Sequence, residues 1–212
     1  MLAIIQQKVY TKNMGRIVLF LLASSIAIAQ TPSESLKRLL EGNQRYVNDQ
    51  LTHPNHSSDR REEISAGQKP FATILGCSDS RVAPEIIFDQ GLGDLFIVRD
   101  AGNIAGPIEL NSIDYSVKYL GSSLVVVMGH ESCGAVTAVV QGTTADIEAV
   151  AKIIRPAVKG ITNPEMAIKA NVKAVVAELR KNKIISQWIK EGKIDCIGAY
   201  YHLGSGEVEL LK

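Results

Sequence analysis

The sequence predicts an α/β fold with a central, mainly parallel β-sheet flanked by helices. Short continuous apolar runs, which are typical of strands buried on both faces, recur along the chain. They alternate with segments whose apolar residues fall at helical spacing. Hydrophobic residues make up 46% and charged residues 21% of the chain, which is the balance of a protein that folds around a core. We see no repeat and no low-complexity segment.

Length and charge limit the kind of protein this can be. A chain of 212 residues suits one domain of ordinary size. Its composition excludes a disordered chain, a collagen-like chain and a small disulfide-dense protein. With 23 Lys and Arg against 22 Asp and Glu the net charge is +1, so no overall field favours nucleic acid or acidic lipid. Any function must therefore come from a local site.

The first 29 residues have the features of a secretory signal peptide. Arg16 precedes a short apolar run, and Ala27 and Ala29 occupy the −3 and −1 positions before a cleavage site. The uncharged stretch 17–29 is shorter than the roughly 20 residues that a membrane-spanning helix needs. An uncleaved anchor and a buried helix are the alternatives.

We therefore expect cleavage after Ala29 and a single mature domain over residues 30–212. This domain would be periplasmic or secreted, without stable insertion in a membrane. A start at Met14 would shorten an unusually long leader. Helix signals follow the expected cleavage site at once, because Thr31 can cap a helix and Glu34 completes a capping box.

The remaining elements follow in alternating order. The helix that begins after Thr31 has a partly apolar face that extends to Tyr46, and the polar stretch 50–69 predicts a loop with a short helix. Strands are predicted at 71–75, 95–98, 124–128, 194–200 and 207–210. Further helices are predicted at 107–120, 145–158, 164–181 and 184–191. Because these strands are separated by helices, a parallel sheet covered on both faces is expected.

Two of the predicted strands lead directly into residue types that commonly bind metals. Cys77 begins the motif Cys-Ser-Asp-Ser-Arg, and His130 begins the motif His-Glu-Ser-Cys-Gly, which contains Cys133. In folds of this class, ligands collect at the carboxyl ends of parallel strands. Thiolate and imidazole are preferred zinc ligands, and two thiolates with one imidazole leave a fourth position open, as catalytic zinc sites do. A disulfide between Cys77 and Cys133 is the alternative.

Asp79 and Arg81 lie close to the first ligand, and their role has more than one interpretation. The Asp79 carboxylate could itself be a metal ligand in the fourth position. It could instead pair with Arg81, whose guanidinium can hold a carboxylate with two hydrogen bonds. An ordinary surface ion pair is the third interpretation.

Other cysteine and histidine residues are interpreted as structural or solvated. Cys196 falls within a predicted strand and is expected to be a buried, inert thiol. His53 and His56 fall in a polar loop and are expected to be solvated, and His202 is expected at a surface or interface.

The two strand-end motifs together resemble the zinc signature of the β-class carbonic anhydrases. The resemblance extends from about residue 33 to 212 and includes the segments 96–103, 154–157 and 198–201. It implies a zinc lyase that catalyses the reversible hydration of carbon dioxide to bicarbonate and a proton. It also implies one Zn²⁺ per subunit and a homodimer or a dimer of dimers.

Matched position by position, the resemblance assigns a role to each residue of the two motifs. Cys77, His130 and Cys133 are implied to be the zinc ligands. Asp79 and Arg81 are implied to form the dyad that orients a zinc-bound hydroxide for attack on carbon dioxide. Because two thiolates cancel the charge of the ion, we expect activity to rise through the mildly alkaline range.

The resemblance also implies the residues that bind substrate. Gln68 matches the residue that donates a hydrogen bond to bicarbonate across the dimer interface. The narrow apolar cleft is implied to consist of Phe96, Ala101 and Tyr115, with Gly134 beside the last ligand. Ala101 is smaller than the valine often found at its position.

The position three residues before Cys77 departs from one part of the family. Members with an inhibitory second bicarbonate site carry a tryptophan there, whereas this chain has Ile74. We therefore expect this inhibitory site to be absent.

Three other functions fit the same residues. A zinc protein without catalytic activity, a hydrolase for carbon disulfide or carbonyl sulfide, and a redox protein that uses a Cys77–Cys133 disulfide are the alternatives.

Overall fold

A computed structural model describes residues 30–212, and the predicted leader lies outside the described residues. The sheet has five strands in the order β2-β1-β3-β4-β5. Their bounds are β1 Ala72–Cys77, β2 Leu95–Asp100, β3 Leu124–His130, β4 Asp195–Tyr201 and β5 Val208–Leu211. The first four are parallel, and β5 pairs antiparallel with β4. The predicted α/β class with a mainly parallel sheet is thereby confirmed.

Eight α-helices flank this sheet within residues 30–212. They are α1 Pro32–Val47, α2 Ser58–Glu63, α3 Pro84–Ile87, α4 Pro107–Tyr115, α5 Gly134–Gln141, α6 Glu148–Val158, α7 Pro164–Lys181 and α8 Lys183–Lys190. The capping box predicted for α1 is present, because Glu34 N donates to Thr31 Oγ1 at 3.3 Å and Thr31 N donates to Glu34 Oε2 at 2.8 Å. Asn163 caps α7 by accepting a hydrogen bond from the backbone of Met166.

The structure differs from the predicted elements at four places. The helix predicted over 107–120 ends as an α-helix at Tyr115 and continues as a π-helical turn over Ser116–Leu120. There the buried Ser116 hydroxyl contacts that of Thr73 at 2.6 Å, which ties the turn to the sheet. The segment Ala145–Ile147 is a short 3₁₀ turn before α6. Helices α3 and α5 were not predicted.

The core lies on both faces of the sheet, and β1 and β3 are buried throughout. Leu39 of α1 packs on one face with Ile74 and Val126, whereas Val172 of α7 packs on the other face with Val125. Helix α7 approaches closely because glycines lie beneath it. A Cβ at Gly129 would lie 2.6 Å from Val172 Cγ2, and one at Gly198 would lie 2.9 Å from Val172 Cγ1. Among the described residues, no helix combines the length and apolarity needed to cross a membrane.

Candidate active site

The carboxyl ends of two adjacent strands bring the three predicted ligands together. Cys77 is the last residue of β1, and His130 is the last residue of the neighbouring β3. Cys133 follows three residues later at the start of α5. All three side chains are buried, and their ligand atoms lie within 4.8 Å of one another. The parallel register of β1 and β3 thus assembles this trio.

His130 presents one specific nitrogen to the other two ligands. Its Nδ1 lies 2.8 Å from the carbonyl oxygen of Glu131. Because a carbonyl only accepts hydrogen bonds, Nδ1 carries the proton and Nε2 has a free lone pair. This Nε2 is buried and has no hydrogen-bond partner within residues 30–212. A buried nitrogen without a partner is costly, and two sulfurs with one imidazole are a zinc donor set. The residues present therefore fit a zinc ion.

The two thiols are in unequal environments. A hydrogen bond with Cys133 stabilises the Cys77 thiolate and lowers the pKa of Cys77, although burial opposes the shift. The backbone N–H of Gly102 adds to this by donating to Cys77 Sγ at 3.4 Å. The contact with Cys77, together with burial, raises the pKa of Cys133. Cys77 is thus the thiol that gives up its proton first.

Asp79 pairs with Arg81 and stands beside the ligand trio. Arg81 Nε donates to Asp79 Oδ1 at 2.9 Å, and Nη2 donates to Oδ2 at 2.7 Å, while the backbone N–H of Arg81 also reaches Oδ1. These hydrogen bonds hold the pKa of Asp79 well below its usual range, against a smaller opposing effect of burial. Asp79 Oδ2 is 3.9 Å from His130 Nε2. The carboxylate is therefore charged, fixed in orientation and adjacent to the position an ion would take.

Arg99 braces this loop, and the sequence analysis assigned it no role. Its Nε donates to the carbonyl of Cys77 at 2.9 Å, and its Nη2 donates to the carbonyl of Asp79 at 2.7 Å. The only sequence signal for this role of Arg99 is its charge near the end of a strand beside a metal motif. Its hydrogen-bond acceptors are backbone carbonyls, which cannot be identified from the pattern of side chains.

Asp100, the next residue, is a second unassigned acid near the site. It pairs in register with Cys77 across the sheet. Its Oδ1 accepts a hydrogen bond from Ile104 N, whereas Oδ2 is buried without a hydrogen-bond partner among the described residues. Burial raises the pKa of Asp100 to about 7.

The structure brings together some of the residues implied to bind substrate. The rings of Phe96 and Tyr115 lie with centroids 6.3 Å apart, and the Tyr115 side chain is half exposed. Ala101 is exposed in the turn that follows β2, and Gly134 is exposed at the first position of α5. Gln68 is exposed in the segment before β1.

The remaining cysteine and the other histidines differ in their burial. Cys196 is fully buried in β4, and burial raises its pKa to about 12. His53 and His56 are exposed, and His202 is partly buried, with its Nε2 3.3 Å from Glu209 Oε2. Within residues 30–212 none of them joins the Cys77, His130 and Cys133 trio.

Comparison with known proteins agrees with this geometry. A protein-family model described as carbonic anhydrase matches residues 72–208. This chain belongs to the carbonic anhydrase family. Carbonic anhydrase 2 of Mycobacterium tuberculosis is 41% identical over 191 residues, which cover 84% of this chain and 92% of the relative.

Two solved structures place this carbonic anhydrase in the β class. The β-carbonic anhydrase CcaA matches with a TM-score of 0.66 and 27% identity, covering 84% of this chain and 87% of that one. A tetrameric β-carbonic anhydrase of Sordaria macrospora matches with a TM-score of 0.61 and 25% identity. That match covers 84% of this chain and 96% of the other.

Proposed function

We propose that this enzyme catalyses the reversible hydration of carbon dioxide to bicarbonate and a proton, with one zinc ion per subunit held by Cys77, His130 and Cys133. The observation that carries the proposal is the convergence of these three buried ligand atoms beside a carboxylate that Arg81 holds with two hydrogen bonds. Membership of the carbonic anhydrase family supports the substrate.

The chemistry divides between the ion and the side chains around it. When bound, zinc supplies the Lewis acidity that lets water act as a nucleophile near neutral pH. Asp79 accepts a hydrogen bond from that nucleophile, because its carboxylate is ionised and lies beside His130 Nε2. Arg81 keeps the Asp79 carboxylate turned so that it orients the attacking lone pair and does not take a ligand position.

Carbon dioxide is apolar and needs a dry surface next to the nucleophile. Phe96 and Tyr115 provide aromatic surface on the adjoining strand and helix. Arg99 holds the Cys77–Asp79 loop through two carbonyls, which fixes the distance between ligand and carboxylate.

Stopped-flow measurement of carbon dioxide hydration with a pH indicator tests the proposal. Zinc-loaded protein over residues 30–212 should show a rate far above the buffer background at mildly alkaline pH, and chelation should abolish it. Full zinc occupancy without any rate would contradict the proposal and favour a silent zinc protein. Turnover of carbon disulfide or carbonyl sulfide in place of carbon dioxide would favour a hydrolase.

We further propose that two copies of the chain associate and that a partner completes each substrate cleft. Ile108, Tyr115 and Tyr119 are exposed on α4 and the π-helical turn. The Tyr115 ring lies 6.3 Å from that of Phe96 and 5.6 Å from that of Tyr119. The Sordaria macrospora relative is described as tetrameric. Analytical ultracentrifugation should give a dimer or tetramer, and Tyr119→Glu should shift it toward monomer; a monomeric wild type would refute the association.

We also propose that residues 1–29 direct export and are removed. The capped start of α1 at Thr31 and Pro32 directly follows the expected cleavage site, so cleavage there leaves the helix intact. Intact mass measurement of protein from a membrane-free exported fraction should give a chain that begins at Gln30. An exported chain that keeps the segment 17–29 would contradict cleavage.

A further inference from the structure

His53 and His56 lie together in a second corner of the molecule, away from the ligand trio. The loop that carries them connects α1 to α2, and their ring centroids are 6.1 Å apart. Both histidines line a small, partly open cavity of about 70 Å³ together with Glu85 of α3. Two histidines and a glutamate thus border the same cavity.

Gln90, another residue that lines this cavity, has a buried polar atom without a partner in the described part of the chain. It is 3% exposed and lines the same space. Its Nε2 donates to the carbonyl of Phe88 at 2.7 Å, which fixes the orientation of the amide, because that carbonyl accepts only from the NH₂ end. The other end, Oε1, is buried without a hydrogen-bond partner within residues 30–212. A buried acceptor without a partner is costly unless something binds it.

The histidine loop is held firmly in place by buried acids. His53 has a left-handed backbone with φ of 47°, and its N–H donates to Asp89 Oδ1 at 3.0 Å. Arg45 Nε binds the same carboxylate at 2.6 Å. On the other side of the loop, Asn55 Nδ2 donates to Asp94 Oδ2 at 2.8 Å. The backbone at His53 and His56 is therefore held in place without any bound ligand.

We propose that His53, His56 and Glu85 form an accessory site for a divalent cation such as Zn²⁺, with Gln90 Oε1 as a further oxygen donor. Imidazole nitrogen and carboxylate oxygen bind zinc at about 2.0–2.2 Å. Asp89 is not part of the donor set, because its oxygens already accept hydrogen bonds from Arg45, Thr52 and His53.

Binding requires a local rearrangement of side chains but not of the backbone. Among residues 30–212, only Cys77, His130 and Cys133 have ligand atoms already gathered within 4.8 Å. The side chains of His53, His56 and Glu85 are exposed, so they can rotate toward one another around the fixed loop. The accessory ion would then join the α1–α2 loop to α3.

Metal titration of the full domain tests the accessory site. The protein is first loaded with one equivalent of Zn²⁺, which occupies the cysteine site because two thiolates and one imidazole are a preferred zinc donor set. Further Zn²⁺ added during isothermal titration calorimetry should bind with one more equivalent per chain. The double variant His53→Gln with His56→Gln should bind that second equivalent at least about tenfold more weakly, and Glu85→Gln should weaken it in the same direction.

The variant His202→Gln is the matched control, since it removes a histidine paired with Glu209 on another part of the surface. It should bind both equivalents as the wild type does. Unchanged second-site affinity in the double variant would overturn the proposal, as would equal loss in the control. Binding of the second equivalent only at millimolar zinc would mark adventitious association and also overturn it.

Discussion

Asp79 Oδ2 lies 3.9 Å from His130 Nε2, so the carboxylate and the ligand nitrogen face the same small volume. Two donors of Arg81 hold the carboxylate there. In the proposed function, the carboxylate is thus close enough to reach a nucleophile beside His130, and its pairing with Arg81 would keep it from becoming a metal ligand.

Asp79→Asn should lower the rate of carbon dioxide hydration by about 100-fold or more, the magnitude expected when a group that orients the nucleophile is lost. The amide cannot accept hydrogen bonds at both ends, and its NH₂ group is repelled by the donors of Arg81. Zinc content should stay at one per chain, because Cys77, His130 and Cys133 are intact. Stopped-flow kinetics and metal analysis of the same samples provide the two readouts.

Asp195→Asn is the control for this substitution. Asp195 also pairs with an arginine, Arg180, at 3.1 Å, but the pair lies at the opposite end of β4 from the site. The Asp195→Asn variant should hydrate carbon dioxide at the same rate as the wild type. If Asp79→Asn retained wild-type activity, the role given to the carboxylate would be wrong.

Removing zinc should let Cys77 and Cys133 form a disulfide. Their sulfurs lie within 4.8 Å of each other and must approach to about 2.05 Å. Dioxygen supplies the oxidant: the two thiols lose two protons and two electrons, an S–S bond forms, and dioxygen is reduced to hydrogen peroxide. Thiol titration of chelated, air-exposed protein should fall from three free cysteines to one. Activity should return only with zinc and a reductant together.

Cys196→Ser separates this reaction from general oxidation. Cys196 is fully buried in β4 and outside the ligand trio, so the variant should lose two titratable thiols under the same treatment. Recovery of full activity by zinc alone would show that the disulfide does not form.

Asp89→Asn should destabilise the domain by about 3 kcal/mol at pH 7, the usual cost of breaking a buried ion pair. Burial alone would raise the pKa of Asp89, but hydrogen bonds from Arg45, Thr52 and His53 outweigh it and hold the pKa below its usual range. Because the pKa of Asp89 is lower in the folded state, its carboxylate stabilises the fold at pH values above its unfolded-state pKa near 4. This stabilisation is lost as the pH falls toward the folded-state pKa. The difference between variant and wild type should therefore shrink below about pH 4.

Urea unfolding at pH 7 and at pH 3, at one fixed protein concentration, measures this difference. Glu63→Gln is the control, because Glu63 pairs with Arg60 on the surface and is 68% exposed. It should change stability by less than about 0.5 kcal/mol at either pH. A difference for Asp89→Asn that stayed constant with pH would show that Asp89 does not supply the titrating interaction.

The strands and the ligand trio could be predicted because their signals are local. The apolar runs of β1 and β3 end directly in Cys77 and His130, and parallel pairing brings such ends together without further information. Helix α5 was missed because Cys133 gives it no side-chain cap and its residues include several β-branched ones. It is stabilised by packing against α6 and α7, with Val136 buried, which sequence spacing does not reveal.

Gly42→Ala should destabilise the domain by about 1–3 kcal/mol, the cost of overpacking. At an exposed helix position the same substitution would instead stabilise the helix, because alanine has the higher helix propensity. Gly42 is buried on α1, where a Cβ would lie only 1.8 Å from the carbonyl oxygen of Phe88. Because that neighbour is backbone, α1 would have to move away from α3. Gly67→Ala is the control, since within residues 30–212 no atom other than those of its chain neighbours lies within 4 Å of its added Cβ. Urea unfolding that finds Gly42→Ala as stable as Gly67→Ala would show that α1 does not pack against Phe88 as described.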